Sequence, residues 1–188
     1  MHGITFLQVD FSPGPVPAVP AASDIALEAG ASLDLATAFL GASWEMIENF
    51  TGRCYRATAA GTVLVEASEP MTYVWPRFPY PAIVTAERWD EGSQTFQPDT
   101  CRYMHGRCTF GGGTLYRLTQ APTPAPVSIP ECVRRAAANL TLYQLIHQPQ
   151  RREFRSQTMA DVTLTREAVQ GLFYGSGAGA LLASEVRR

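Results

Sequence analysis

The sequence predicts an α+β protein, a small helical bundle with a β-rich insertion between its helices and extended arms at both ends. Three observations point there. The stretches 33–51 and 128–148 carry apolar residues at helical spacing. Residues 54–119 alternate in short runs separated by Gly, Pro and Asp. Residues 1–22 and 175–188 are rich in Gly, Pro and small side chains.

Taken in order, the chain opens with an arm. MHGITFLQVDF can add an edge strand to a sheet, whereas SPGPVPAVPAAS favours extended, polyproline-like chain. The first helix is expected from Leu33 to Thr51, capped by Ser32 and stopped by Gly52. Ala36, Phe39, Leu40, Ser43, Ile47 and Phe50 share one face, and Thr37, Glu45, Glu48 and Asn49 the other. Trp44 and Met46 widen the apolar stripe enough to meet a second helix and a neighbouring subunit.

The insertion reads as strands YRATAA, TVLVE, MTYVW, AIVTAERW, CRYMH, RCTF and TLYRLT. Asp90, Glu91, Gly92 and Ser93 make a hairpin turn into QTF. Gly111, Gly112 and Gly113 make a loose turn and not a phosphate loop, since neither a Lys-Ser/Thr pair nor a helix follows. The prolines of PRFPYP close one strand and open the next, and QAPTPAPVSIP is a stiff linker.

The second helix begins at Ser128, with Glu131 completing a capping box and Pro130 in the first turn. Val133, Ala136, Ala137, Leu140 and Tyr143 fall on one face, while Leu142, Leu145 and Ile146 fall on others. An end that is apolar nearly all round needs partners on more than one side, in the core or between subunits. Beyond it, Arg151, Arg152 and Arg155 read as solvated surface, MADVTLT as a short strand, and Ala178 to Val186 as a small apolar helix after a Gly-Ser-Gly hinge.

With 188 residues, 46% of them apolar, and a formal charge of -2, one compact domain is expected, with no general pull towards nucleic acid or membrane. All 15 basic residues are Arg, a choice that suits planar ion pairs between subunits but also follows from codon bias. Cys54, Cys101, Cys108 and Cys132 lack CxxC spacing, and His2, His105 and His147 complete no metal pattern. Reduced structural thiols and no metal or cofactor are the expectation. The opening residues lack the features of a signal peptide, and no run approaches the roughly 20 apolar residues of a membrane span. The sequons at Asn49 and Asn139 fall inside predicted helices and read as chance matches. GxSxG, HExxH and dinucleotide-binding glycines are all missing, so an enzyme is not expected.

The order of these features resembles the head-to-tail connector, or adaptor, proteins of long-tailed phages and gene-transfer agents. Glu48, Thr51, Gly52 and Arg53 match the family's Glu-x-x-Thr-Gly-Arg-like helix end. Pro130, Val133, Arg134 and Ala136 match its later helix start, and Leu181, Leu182, Arg187 and Arg188 its closing Leu-Leu and basic pair. The likeness spans residues 33–188 in outline, behind an N-terminal arm of residues 1–32.

The resemblance implies a structural virion protein of the head-tail neck, assembled in the host cytoplasm as a homo-oligomeric, typically dodecameric ring. Its partners are then the portal, a tail-side neck or stopper protein, and double-stranded DNA that passes without sequence reading. Leu181, Leu182, Arg187 and Arg188, in a C-terminal docking arm of about 175–188, are the expected portal contacts. Trp44, Leu142, Leu145 and Ile146 are expected in the core or between subunits. The alternatives are a tail-completion or tail-terminator protein, expected if the β region dominates and the helices are peripheral, and a small enzyme with a spatially assembled site.

Overall fold

The structure, a computed structural model, describes residues 4–10, 14–75, 77–100, 102–126, 128–154 and 169–186. The chain forms two compact units, each made from two separated segments. One combines Met1–Pro15 with Arg56–Pro126, the other Val16–Tyr55 with Val127–Arg188. The described strands all belong to the first and the described helices to the second.

The sheet unit contains β1 (Ile4–Asp10), β2 (Gly61–Ala67), β3 (Met71–Val74), β4 (Val84–Asp90), β5 (Thr95–Asp99), β6 (Arg102–Met104), β7 (Arg107–Phe110) and β8 (Thr114–Gln120). They make an antiparallel sheet in the order β1-β2-β8-β4-β5 and a smaller one in the order β3-β7-β6. Alternation decides which side is buried: Val63 and Val65 on β2 stand opposite Leu118 and Tyr116 on β8, and all four are enclosed. The hairpin between β4 and β5 turns where expected, because the Asp90 carboxylate accepts from the backbone N–H of Ser93 at 3.0 Å and its hydroxyl at 2.7 Å. Gly112 takes φ 82° against the Glu69 backbone, where a Cβ has no room.

Two expectations fail in this unit. YRATAA is not a strand; it leaves an isolated bridge between Thr58 and Thr123, because the consecutive residues Tyr55 and Arg56 are both buried and break the two-residue period. Cys108 is disulfide-bonded, against the expectation of reduced thiols, while Cys54 and Cys132 remain thiols.

The helical unit contains α1 (Ala22–Ala29), α2 (Leu33–Thr51), α3 (Glu131–Phe154), α4 (Val169–Gly175) and α5 (Ala178–Leu182). Residues 1–32 thus hold an edge strand and a helix. The helix forms because Ala22, Ile25, Ala26 and Ala29 recur at helical spacing and pack into the core, a period hidden among small residues. Helix α2 has the predicted limits: Ser32 Oγ accepts from Leu35 N at 3.3 Å, and Gly52 ends it at φ 66°. Ala36, Ala136 and Ala137 are fully buried, their small side chains giving Leu40, Trp44, Ile47, Val133 and Leu140 room to interdigitate.

Helix α3 starts two residues later than the capping box required, with Pro130 and not Ser128 in the capping position. Pro130 O accepts the first N–H groups, from Val133 at 3.1 Å and Arg134 at 3.2 Å. The Glu131 carboxylate turns instead to Arg134 at 2.6 Å and Arg135 at 3.4 Å. The helix also runs on to Phe154, so Arg151 and Arg152 belong to it; Arg155 and MADVTLT lie outside the described residues.

Candidate assembly surfaces

The residues that end α2 form a connected set. Glu48, placed on the polar face by spacing, is 1% exposed, and its Oε1 accepts from the Tyr55 backbone N–H at 2.9 Å, which fixes the chain as it leaves the helix. Thr51 Oγ1 donates to Ile47 O at 2.8 Å, so its hydroxyl is satisfied in a buried position. Gly52 supplies the left-handed turn, and its N–H returns to Glu48 O at 3.0 Å. Arg53 Nε then donates to Glu185 O at 3.0 Å and lies 3.9 Å from a Glu185 carboxylate oxygen. The end of α2 is thereby tied to the end of the chain. Burial pushes the Tyr55 hydroxyl above its ordinary pKa.

The remaining predicted residues divide between core and surface. Trp44 is fully enclosed and, like Leu145 at 6% exposure, belongs to the helical core. Leu142 packs at the edge of that core, whereas Ile146 is 51% exposed. Leu182, expected as a portal contact, is fully buried beside Ala178 and Phe173, and Leu181 packs at the edge of the same cluster. The C-terminal helix folds back on its own unit because Gly175 and Gly179 approach Tyr143 and Phe173 closely enough for apolar packing to hold it. Arg187 and Arg188 lie outside the described residues.

Two surfaces had escaped the sequence reading. Around the junction of α1 and α2, Leu27, Leu33 and Leu35 are 86%, 54% and 44% exposed, among the exposed carboxylates of Asp24, Glu28 and Asp34. On the smaller sheet, register sets Val74 opposite Arg107 and Arg107 opposite Met104, with Thr72, Thr109 and Arg102 in the adjoining row of that face. Val74 and Met104 are about half exposed, and both arginines are exposed. The signal was segregation of charge. Residues 16–52 hold Asp24, Glu28, Asp34, Glu45 and Glu48 but no basic residue, whereas residues 100–130 hold Arg102, His105, Arg107 and Arg117 but no acid.

An open hollow of about 580 Å³ in the sheet unit is lined by residues including Arg88, Asp99, Thr109 and Gly112. Among the described residues, no three His, Cys, Asp or Glu gather to hold a metal, and no single helix is long and apolar enough to cross a membrane.

No family model matches the chain, and no curated protein matches it. Among solved structures, a chain in the neck of an empty GTA particle computed with C6 symmetry aligns with 93% of this chain and 94% of that one, at 14% identity and a TM-score of 0.46.

Proposed function

We propose that this protein is a structural, non-enzymatic subunit of the head-tail neck of a phage-like particle. It forms a homo-oligomeric ring, dodecameric by the family resemblance, that joins the portal to a tail-side neck protein and lets DNA pass. The observation that carries the proposal is the end of α2. Each residue matching the connector motif has a positional duty there: Glu48, Thr51 and Gly52 fix the exit of the chain, and Arg53 holds Glu185. A subunit that transmits contacts from one partner to the next needs its chain ends fixed in this way. The helices also build a unit with its own enclosed core, which favours the adaptor over a tail-terminator with peripheral helices.

Because Leu182 serves the core, the portal contact we assign falls to Arg187 and Arg188, with Leu181 at its border. The formal charge of -2 suits a channel that DNA traverses without being held. The virion neck is the location, with assembly in the host cytoplasm and no membrane partner.

The test is particle assembly in a producing strain. Removing the protein should leave DNA-filled heads without tails, and a labelled copy should restore tails and appear between portal and tail by electron microscopy. Tailed, infectious particles formed in its absence would overturn the assignment. Arg187→Ser with Arg188→Ser should abolish joining to portal-bearing heads at unchanged Tm; full joining would remove these residues from the contact.

A further inference from the structure

We infer that neighbouring copies of this chain meet head to tail, the acidic, leucine-bearing α1–α2 junction of one copy docking on the cationic β3-β7-β6 face of the next. The occupant of each surface is therefore a second copy. This deepens the ring assignment and rests on it for the oligomer, but the surfaces are identified by their own chemistry.

Both surfaces combine apolar contact area with charge of one sign. On the junction, Asp24, Leu27 and Glu28 stand at positions i, i+3 and i+4 of α1, so they share a helix face. Ile25 and Ala26 take the buried face of the same helix, which leaves Leu27 outside the core. On the small sheet, Arg107 lies between Val74 and Met104, and Arg102 is its diagonal neighbour, within reach of a long side chain in an ordinary antiparallel pair. Neither Arg102 nor Arg107 makes an ion pair among the described residues, in contrast to Arg117, which holds Glu87 at 2.6 Å. Arg and Met are enriched where proteins meet, and a leucine between carboxylates is the complement of a methionine beside arginines.

Complementarity of sign selects the pairing. The junction is acidic and would repel a second junction, as the sheet face would repel a second sheet face, so a two-fold contact of like surfaces is disfavoured. Two different patches make a heterologous contact, and such contacts close into rings when the rotation per subunit allows. Polyanions could also take the arginine face, but they offer nothing to the exposed leucines and leave Val74 and Met104 uncovered.

The experiment is a charge exchange on the full chain, read by mass photometry and negative-stain imaging. One variant carries Arg102→Glu and Arg107→Glu, the other Asp24→Arg and Glu28→Arg. The four positions are exposed, so circular dichroism should show both variants folded. Each alone should need on the order of 100-fold more protein to assemble than wild type, because like charges then face each other. An equimolar mixture should assemble again, since the acidic sheet face of the first meets the basic junction of the second, and the converse. The restored rings should contain even numbers of subunits in alternation.

Assembly of either variant alone at wild-type concentration, or folded variants that fail to rescue each other, would overturn the inference. So would a wild-type chain that stays monomeric at every concentration tested. The two assignments fail separately. Rings that survive charge exchange yet enter particle necks sink the docking surfaces and keep the neck, whereas mutual rescue without a place in particles does the reverse.

Discussion

The two units solve the same problem, an enclosed core, with different materials. In the sheet unit the interior is aromatic: Trp75 lies edge-on to Tyr73 at 4.6 Å and to Tyr103 at 5.6 Å, while Phe110 stacks on Tyr116 at 4.6 Å. Its polar ends are tied off, with Trp75 Nε1 donating to Gln120 Oε1 at 2.8 Å and Tyr103 Oη to Pro81 O at 2.5 Å. In the helical unit alanines bring α2 and α3 close, and a polar group is sealed between them. Thr141 Oγ1 lies 2.9 Å from Ser43 Oγ and 2.7 Å from Ala137 O, and Gln144 Nε2 donates to Ser43 Oγ at 2.9 Å. Strands present broad surfaces that large rings fill, whereas helices in close contact leave room for hydroxyls that fix how one is placed along the other. The helical unit should therefore be the less tolerant of added charge, and the sheet unit should reveal itself through its buried phenols.

The largest effect expected from this difference is at Leu145. An Asp there puts an unpaired carboxylate at a site 6% exposed, so Leu145→Asp should cost roughly 3 kcal/mol or more. Urea unfolding followed by helix signal measures it. A loss under about 1 kcal/mol would mean that α3 opens to water around Leu145, and the contrast between the units would fail.

Next comes the alkaline limb of the sheet unit. Burial pushes the Tyr73 phenol up to about 12, from an ordinary value near 10. The folded state thus holds its proton more tightly than the unfolded chain does. The resulting stability is complete below about pH 10 and is lost as pH rises towards 12, on the order of 2–3 kcal/mol in all. Ultraviolet titration of wild type against Tyr73→Phe should show one phenol ionising late. One more phenol ionising in wild type than in Tyr73→Phe already below pH 11 would place Tyr73 in water.

A smaller effect tests the polar seal. Thr141→Val keeps the shape but removes the hydroxyl beside Ser43, and should cost about 1 kcal/mol with no change in helix content. A stabilised variant would show that the seal serves specificity and not stability.

How legible these features were depends on the range of the interaction that makes them. Helix α2 was readable from end to end, because Ser32 and Gly52 act within one turn of its limits. The β4–β5 hairpin was readable because Asp90 caps its own turn. Glu48 was misplaced because spacing assigns a carboxylate to the wet face, and its partner, Tyr55 N, lies beyond the helix. The capping box on Ser128 failed through competition: Arg134 and Arg135 offered Glu131 a charged partner, and the box offered a neutral one. Trp44 and Leu145, expected in the core or between subunits, are interior, and so is Leu182, expected as a portal contact. Apolar character alone does not separate core from contact surface. The exposed leucines of the α1–α2 junction became visible only when burial could be set beside the one-sided charge around them.

The smallest effect belongs to the surface of the sheet unit, where the cross-strand pair of Glu87 and Arg117 replaces core packing. Their register is directly opposite on β4 and β8, and Arg117 Nε donates to Glu87 Oε2 at 2.6 Å while its guanidinium lies 4.5 Å from the Phe96 ring centroid. The hydrogen bond from Arg117 holds the Glu87 carboxyl below its ordinary pKa. A folded-state value lowered in this way contributes stability above the unfolded pKa, which is lost as pH falls through the folded one. The loss therefore belongs to the acid side, below about pH 4.5. Both side chains are partly exposed, at 28% for Glu87 and 40% for Arg117, so solvent screening limits the pair to about 0.5 kcal/mol. Arg117→Gln should return Glu87 to the ordinary carboxylate range in a carbon-detected NMR titration and flatten the acid limb slightly, with the neutral-pH Tm moving by no more than a few degrees. An unchanged Glu87 titration would assign the depression to something other than Arg117, and a large loss of Tm at neutral pH would mean that the arginine's packing on Phe96 outweighs its charge.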